Sequence, residues 1–203
     1  MSDAADVIDR LAGIAVGSPL EAIRAQRPVA RANAQASFRA LFQPAETGDM
    51  SLVERHAVAL FVAGLHRQPV FVAFFAARLA DAAGAPALAS AIETEIALGA
   101  TDGPYGRFPP GPLSVEDQRG LTYHVAAANR AALGARLSVA FAHAHLLVFR
   151  PREAGPQALQ TLLDAGWSTA GIVTLSQLVS FLAFQIRVVA GLRSLAASPA
   201  GSA

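Results

Sequence analysis

The side chains that could do chemistry in this chain are five histidines, fifteen carboxylates, the hydroxyls and sixteen basic residues, all of which are arginine. The chain has no cysteine and no lysine. It therefore has no disulfide, thiolate metal site or thiol nucleophile, and no Schiff-base lysine or Walker-type phosphate loop. What remains is acid–base chemistry on histidine or carboxylate, and anion binding by arginine.

Two of the histidines, His143 and His145, stand two positions apart. On a helix such residues point about 200° away from each other, so the pair predicts no shared metal ion. The structural interpretation is one core histidine bonded to a backbone carbonyl and one histidine nearer solvent. A working site there stays open as an alternative, with Arg150 and Arg152 contacting an anion or complementing the helix dipole.

Charge and hydropathy exclude some partners. The formal net charge is +1 and the arginines are spread along the whole chain, so we expect no nucleic-acid partner. The acidic N-terminus lacks the basic-then-apolar order of a secretion signal, which predicts a cytoplasmic protein. The uncharged span 165–186 is long enough to cross a bilayer, but its polar residues predict a buried helix and no membrane partner.

The elements that must position these residues are helices. Alanine is abundant and β-branched runs are few, which predicts an all-α fold. Ser51 and Glu54 have the spacing of a capping box, so a helix should begin at residue 52. We predict helices over 5–12, 19–42 with a break near Pro28, 52–67, 69–84, 86–99, 114–132, 135–149, 156–165 and 169–195.

The chain is interpreted as a single domain, 1–198, followed by a disordered tail at 199–203. Each half, about 5–100 and 113–195, should contain antiparallel helical hairpins, and the Gly/Pro-rich stretch TDGPYGRFPPGP should connect the halves. Several helices are apolar over more than one stripe. We therefore expect a homo-oligomer, whether dimer, trimer or hexamer, that buries part of this surface.

Three stretches carry a family resemblance. The helix–Pro–helix segment LVERHAVALFVAGLHRQPVFVAFFAARLADAAG resembles the signature region of the carboxymuconolactone decarboxylase superfamily, which includes the alkyl hydroperoxidase D-like proteins. The stretch AGWSTAGIVTLSQLVSFLAFQIRVVAGL resembles the end of its peroxidase-related branch, and the opening DVIDRLAGIAVGSPLEAIRAQRP is similar to the leader of one subfamily. The resemblance covers nearly the whole chain and implies an alkyl hydroperoxidase D-like helical fold.

The residues that do chemistry in the family are replaced here. Aligned on Pro69, the two family cysteines fall on Gln68 and Phe71, the upstream glutamate on His56 and the distal histidine on Phe75. In active relatives a glutamate–histidine relay generates the cysteine thiolate. Glutamine and phenylalanine supply no thiolate, so we expect no thiol peroxidase activity, no cofactor and no metal ion.

Two functions follow from the resemblance. The first is a structural or regulatory oligomer that has lost peroxidase chemistry and acts with a related, cysteine-containing subunit, with the former site filled as packed core. The alternative is a thiol-independent lyase acting on a small carboxylated lactone or related metabolite. In that case His56 would be the general acid–base, and Arg67, Gln68 and His66 would contact the substrate in a remodelled apolar pocket.

Overall fold

The computed structural model describes residues 6–83 and 86–198, and the regular structure in these ranges is helical, which confirms the all-α class. Short 3-10 turns cover Pro112–Glu116, Ala127–Asn129 and Pro151–Glu153. The α-helices are α1 (Val7–Ala12), α2 (Pro19–Ala25), α3 (Pro28–Phe42), α4 (Leu52–Leu65), α5 (Pro69–Ala83), α6 (Pro86–Leu98), α7 (Arg130–Phe149), α8 (Pro156–Asp164) and α9 (Thr169–Ala197).

Helix α4 is the central element of the core. The capping box predicted from the sequence is present at its start, where the Ser51 hydroxyl accepts from the Glu54 amide and Glu54 accepts from the Ser51 amide. Nearly every residue of α4 is buried, because it packs against α5, α6, α7 and α9. A helix that is apolar on all sides is stable only with neighbours on all sides, and α4 has them.

Both halves of the sequence contribute to the same hydrophobic cluster, since α4 contacts α7 and α9, and α1 contacts α9. Arg136 on α7 is a polar link between them. Its guanidinium donates to Glu54 at 2.9 Å and to the Asp49 carbonyl at 2.9 Å, and it lies 4.2 Å from the ring centre of Trp167. The entrance to α4 is therefore held by residues far away in sequence.

The predicted helix over 114–132 is wrong. After the 3-10 turn the chain runs extended through 117–126, and regular α-helix begins at Arg130 and is kinked at Gly134. In the extended part Tyr123 and Val125 are buried while Thr122 and His124 are exposed, which is the alternation of a half-buried extended segment. The predicted helix end at Gly84 and the predicted tail lie outside the described residues.

Two helical stretches, Ala127–Phe149 and Thr169–Ala197, are long and apolar enough to span a membrane by length and composition. Core helices of water-soluble proteins pass the same test. In both stretches a large part of the most apolar window is buried against other helices, at 44% and 39%. Their apolar character therefore has a packing role within the bundle.

Gly64 marks the closest approach between α4 and α6. A Cβ atom there would lie 2.4–2.6 Å from three side-chain carbons of Ile96, which has no flexible end to move away. Although alanine favours helix, we expect Gly64→Ala to lower the free energy of unfolding by about 1–3 kcal/mol through overpacking. Gly155→Ala is the control, because its Cβ meets no atom within 4 Å and its φ of −105° suits alanine, so stability should change by less than about 1 kcal/mol. Equal effects in urea unfolding would contradict this.

Candidate functional site

The break between α4 and α5 is built by backbone hydrogen bonds. The Gln68 amide donates to the Ala63 carbonyl at 3.2 Å, and the Arg67 amide donates to the Gly64 carbonyl at 2.8 Å. This is the Schellman pattern of a helix C-terminus, and it requires a left-handed residue, which is Arg67 with φ 54°. Pro69 then starts α5 at a position where its missing N–H costs nothing.

The three predicted substrate-contacting residues lie at this break, and two of them, Arg67 and Gln68, have structural roles there. The Gln68 carbonyl accepts from the amides of Phe71 and Val72, both at 3.0 Å, and so caps the start of α5. The exposed Arg67 guanidinium reaches Asp102 at 3.3 Å, which ties the break to the loop after α6. His66 is half-buried, and its Nε2 has no hydrogen-bond partner within the described ranges.

His56 lies among aromatic rings in the core. Its imidazole stacks on Phe42 at 5.7 Å between ring centres and is 6.4 Å from Phe75. Burial, with the nearby charges of Arg78 and Arg55, lowers the pKa of His56 to about 4, against a smaller raising effect of Asp81. The imidazole is therefore neutral near pH 7 and is a weak base with little access to solvent.

The positions that align with the family cysteines and distal histidine offer no chemistry. Phe71 and Phe75 are fully buried, and Phe75 also lies edge-on to Phe74, with 5.1 Å between ring centres. Hydrocarbon rings thus occupy the space between α4 and α5 beside His56. Such packing excludes water and supplies no proton donor or nucleophile.

The structure does not bring the predicted site residues together. His56 and His66 are ten residues apart on α4, which separates them by about 15 Å along the helix axis. Three surface cavities lie elsewhere: between the 122–125 segment, α7 and α8; between residues 107–122 and 150–153; and between α3 and α9. None of these three is lined by His56, His66, Arg67 or Gln68.

A buried polar cluster centres on Glu95 of α6, a residue that sequence reasoning did not select. Its carboxylate is fully buried and accepts from the Tyr123 hydroxyl, from the Asn129 amide at 2.6 Å and from the Ala126 backbone amide at 3.1 Å. Burial and the bond to Glu95 raise the pKa of Tyr123. Two carboxylates, Glu93 and Glu95, interrupt the otherwise apolar helix PALASAIETEIAL, and nothing in that local pattern distinguishes the buried one from the exposed one.

His143 and His145 point to different surroundings, as their spacing predicts. His145 is fully buried, stacks on Tyr123 at 4.8 Å and bonds through Nε2 to the Gly99 carbonyl at 3.0 Å. His143 is also buried, but it lines the cavity between α7 and α8 and its Nδ1 has no hydrogen-bond partner in the described part of the chain. Arg150 lines the same cavity, whereas Arg152 lies over the Phe108 ring.

The buried histidines make stability depend on pH. Burial lowers the pKa of His56, His66 and His145 to about 4, below the unfolded value of 6.5. Between these values the unfolded chain binds protons that the folded chain excludes, so stability is full above pH 6.5 and falls as the pH drops toward 4. We expect a loss on the order of 3 kcal/mol between pH 7 and pH 5 in urea unfolding.

His56→Leu separates the packing role of His56 from a catalytic one. The variant removes a buried imidazole whose Nδ1 is unpaired, so its stability at pH 7 should stay within about 1 kcal/mol of the parent. Its loss of stability on acidification should be shallower by about a quarter to a third, because one of the four histidines whose pKa burial lowers is gone. A parent that is equally stable at pH 7 and pH 5 would contradict the linkage.

Comparison with known proteins does not assign the chain. Among the described residues no three histidine or carboxylate side chains are grouped so as to hold a metal ion. Membership in the carboxymuconolactone decarboxylase superfamily stays a prediction from the three resembling stretches. No protein-family model matches this sequence, and no curated protein is significantly similar to it.

Proposed function

We propose that this chain is a thiol-free, carboxymuconolactone decarboxylase-like subunit that works by association rather than by redox catalysis. It forms a homo-oligomer in the cytoplasm and acts as a structural or regulatory partner of a related subunit that keeps its cysteines. Two properties support this function. The first is the chemistry missing at the α4–α5 break, and the second is an apolar face on α9.

The absence of cysteine excludes the family's thiol reactions by this chain alone. Thiol peroxidases need a cysteine that is oxidised by peroxide and reduced again by a dithiol, and this chain has none. The aromatic packing around Phe71 and Phe75 leaves no opening for such chemistry at the break. Any peroxide turnover in which the chain takes part therefore needs another subunit.

The observation that carries the proposal is the exposed face of α9. Val173, Phe184 and Leu195 are each 50% exposed. They are spaced eleven residues apart, which is three helical turns plus about 20°, so they lie on one face of the helix. Gly191 and Ser180, both exposed, lie between them and leave room for close approach of another helix.

A second copy of the chain fits this spacing. In a two-fold, antiparallel pairing of α9 with itself, the central Phe184 meets Phe184 of the other copy, and Val173 lies opposite Leu195. The two outer residues are each about 16 Å from Phe184 along the helix axis, so a single crossing brings all three pairs together. Burial of these side chains supplies the favourable free energy.

Light scattering coupled to size-exclusion chromatography tests the association. The untagged chain should elute as an oligomer at micromolar concentration, and Phe184→Glu should shift it to monomer with an unchanged circular dichroism spectrum. Val115→Glu is the matched control, since Val115 is 90% exposed in the 3-10 segment and lies off α9. A monomeric parent, or an oligomer that Phe184→Glu leaves intact, would refute the proposal.

Two assays separate this function from its competitors. Purified chain with a dithiol reductant should turn over hydroperoxide no faster than buffer. In vesicle flotation the chain should stay with the soluble fraction, because its α9 face is covered by protein. Robust turnover would refute the non-redox function, and flotation would show that lipid rather than a second copy covers the face.

The second candidate is the thiol-independent lyase, and one observation favours it. His56 Nδ1 is buried without a hydrogen-bond partner in the described ranges, as is common for groups awaiting a ligand. Arg67, which would hold the substrate carboxylate, lies at the far end of α4, and His56 has only 6% of its surface exposed. If turnover of a carboxylated lactone were detected and His56→Gln abolished it while Gln68→Ala weakened substrate binding, this candidate would replace the first.

A further inference from the structure

A cavity of about 270 Å³ lies between the extended segment 122–125, α7 and α8, and its lining residue Tyr123 is bonded to Glu95 of α6. The association proposed above does not use it. Most of its wall is hydrocarbon. The apolar lining residues are Val125, Val139, Ala142, Leu146 and Ala158.

Two residues that line this cavity each carry one buried nitrogen atom with no hydrogen-bond partner in the described part of the chain. His143 is 5% exposed, and its Nδ1 makes no hydrogen bond within the described residues. Arg150 pairs through Nη1 with Glu153, but its Nε is buried and unbonded. Unmade hydrogen bonds on buried groups cost about 1–3 kcal/mol each, so two on one wall indicate a site shaped for an acceptor.

A second arginine adds positive charge at the same cavity. Arg130 lines it, and no carboxylate in ranges 6–83 and 86–198 lies within ion-pair distance of its guanidinium. Its Nε donates to the Val125 carbonyl at 3.2 Å, which leaves the two terminal nitrogens for another acceptor. The cavity lining thus contains two arginines, Arg130 and Arg150, and no carboxylate among the described residues. The nearby carboxylates are already engaged, Glu153 with Arg150 and Glu95 with Tyr123, Ala126 and Asn129.

The walls are held in place before any ligand arrives. Tyr123 lines the cavity and is anchored by Glu95 on one side and by the stacked His145 ring on the other. The hydroxyls of the lining residues Ser138 and Thr161 donate to the carbonyls of Gly134 and Gln157, at 2.7 and 3.0 Å, which fixes their rotamers. Preorganised walls of this kind reduce the entropic cost of binding.

We propose that this cavity binds a small organic carboxylate, with the apolar body of a short chain or single ring against Val139, Ala142 and Leu146. The carboxylate accepts hydrogen bonds from the unpaired groups of His143 and Arg150 and from the Arg130 guanidinium. An apolar pocket with a few converging donors is the usual construction of a small-molecule site. The cationic rim selects an anion over a neutral molecule of the same shape.

Isothermal titration calorimetry with benzoate and hexanoate tests the site. Two charge-assisted hydrogen bonds support millimolar or tighter affinity, so saturable heat should appear below about 10 mM. Benzamide, the neutral isostere of benzoate, should bind at least about tenfold more weakly. Inorganic phosphate, which has the charge without the apolar body, should also bind more weakly than benzoate.

Variants assign the heat to this cavity. Arg130→Gln should weaken benzoate about tenfold, whereas Arg39→Gln, an exposed arginine on α3, should leave the affinity unchanged. Ala142→Phe should abolish binding by filling the cavity. Ala158→Leu is a second blocking variant that serves if the first fails to fold, as judged by its melting curve.

Three results would overturn the proposal. They are no saturable heat for either acid, equal affinity for benzoate and benzamide, and benzoate binding that survives a folded blocking variant. None of these depends on the oligomeric state, so the site and the association through α9 stand or fall separately.

Discussion

Glu95→Ala should lower the free energy of unfolding by about 3–5 kcal/mol, one of the two largest effects expected of a single substitution in this chain. The change removes the acceptor of three hydrogen bonds and leaves the Tyr123 hydroxyl, the Asn129 amide and the Ala126 N–H buried without it. It also releases the extended segment from α6. The measurement is urea unfolding at pH 7, followed by circular dichroism.

Two matched variants separate the lost bonds from a general effect on α6. Glu95→Gln keeps one oxygen as an acceptor for Asn129 and Ala126, so it should cost only about 1–2 kcal/mol. Glu93→Ala, two positions earlier and exposed, should change stability by no more than about 0.5 kcal/mol. If Glu95→Ala were as stable as Glu93→Ala, the buried cluster would not hold the segment.

Arg55→Ala should destabilise the protein to a similar extent, by about 3–5 kcal/mol. The guanidinium is buried and donates to four backbone carbonyls: Met50 at 2.9 Å, Leu41 at 2.7 Å, Thr47 at 2.7 Å and Ala40 at 3.3 Å. These carbonyls belong to the end of α3 and the loop leading to α4, and they have no helical partner. Thermal and urea unfolding both report the loss.

Lysine at this position tests whether the planar fork of arginine is needed. Arg55→Lys keeps the charge but cannot reach four carbonyls spread around a guanidinium, so it should recover less than half of the stability lost in Arg55→Ala. Arg39→Ala, on the exposed side of α3, is the control and should be close to neutral. Full recovery by lysine would mean that the positive charge, and not the planar geometry of the guanidinium, stabilises the junction between α3 and α4.

The local signals in the sequence predicted the helices well. The Ser51–Glu54 capping box placed the start of α4 at Leu52, and Pro28 and Pro69 placed two breaks where the structure has them. These features depend only on residues within one helical turn. That is why they can be read without tertiary contacts.

The errors lie where distant residues decide the structure. An extended segment forms in place of much of the helix expected over 114–132. It is stabilised by Glu95, some thirty residues earlier, which binds Tyr123, Ala126 and Asn129. The alternation of apolar and polar residues around Tyr123 is visible in the sequence. The Glu95 carboxylate that stabilises this segment by hydrogen bonds is not visible there. Arg55 likewise looks like a surface residue of an amphipathic helix until the end of α3 is placed against it.

The candidate site shows the same limit. Pro69 by itself located the break correctly, and Arg67 in the left-handed conformation explains why the chain turns there. Spacing along α4 already separated His56 from His66. The burial of His56 between Phe42 and Phe75 depends on how α3, α4 and α5 pack, which no local pattern encodes.

Cysteine cross-linking tests the central claim, association through α9, most directly. The chain has no cysteine of its own, so each variant carries a single thiol and no other disulfide can form. Under mild oxidation Phe184→Cys should form a covalent dimer, because the two-fold pairing places position 184 opposite itself. Val115→Cys, on the exposed 3-10 segment, should form little covalent dimer at the same concentration, although it still associates through α9. If Phe184→Cys cross-links no faster than Val115→Cys, the α9 face does not meet a second copy and the account is contradicted.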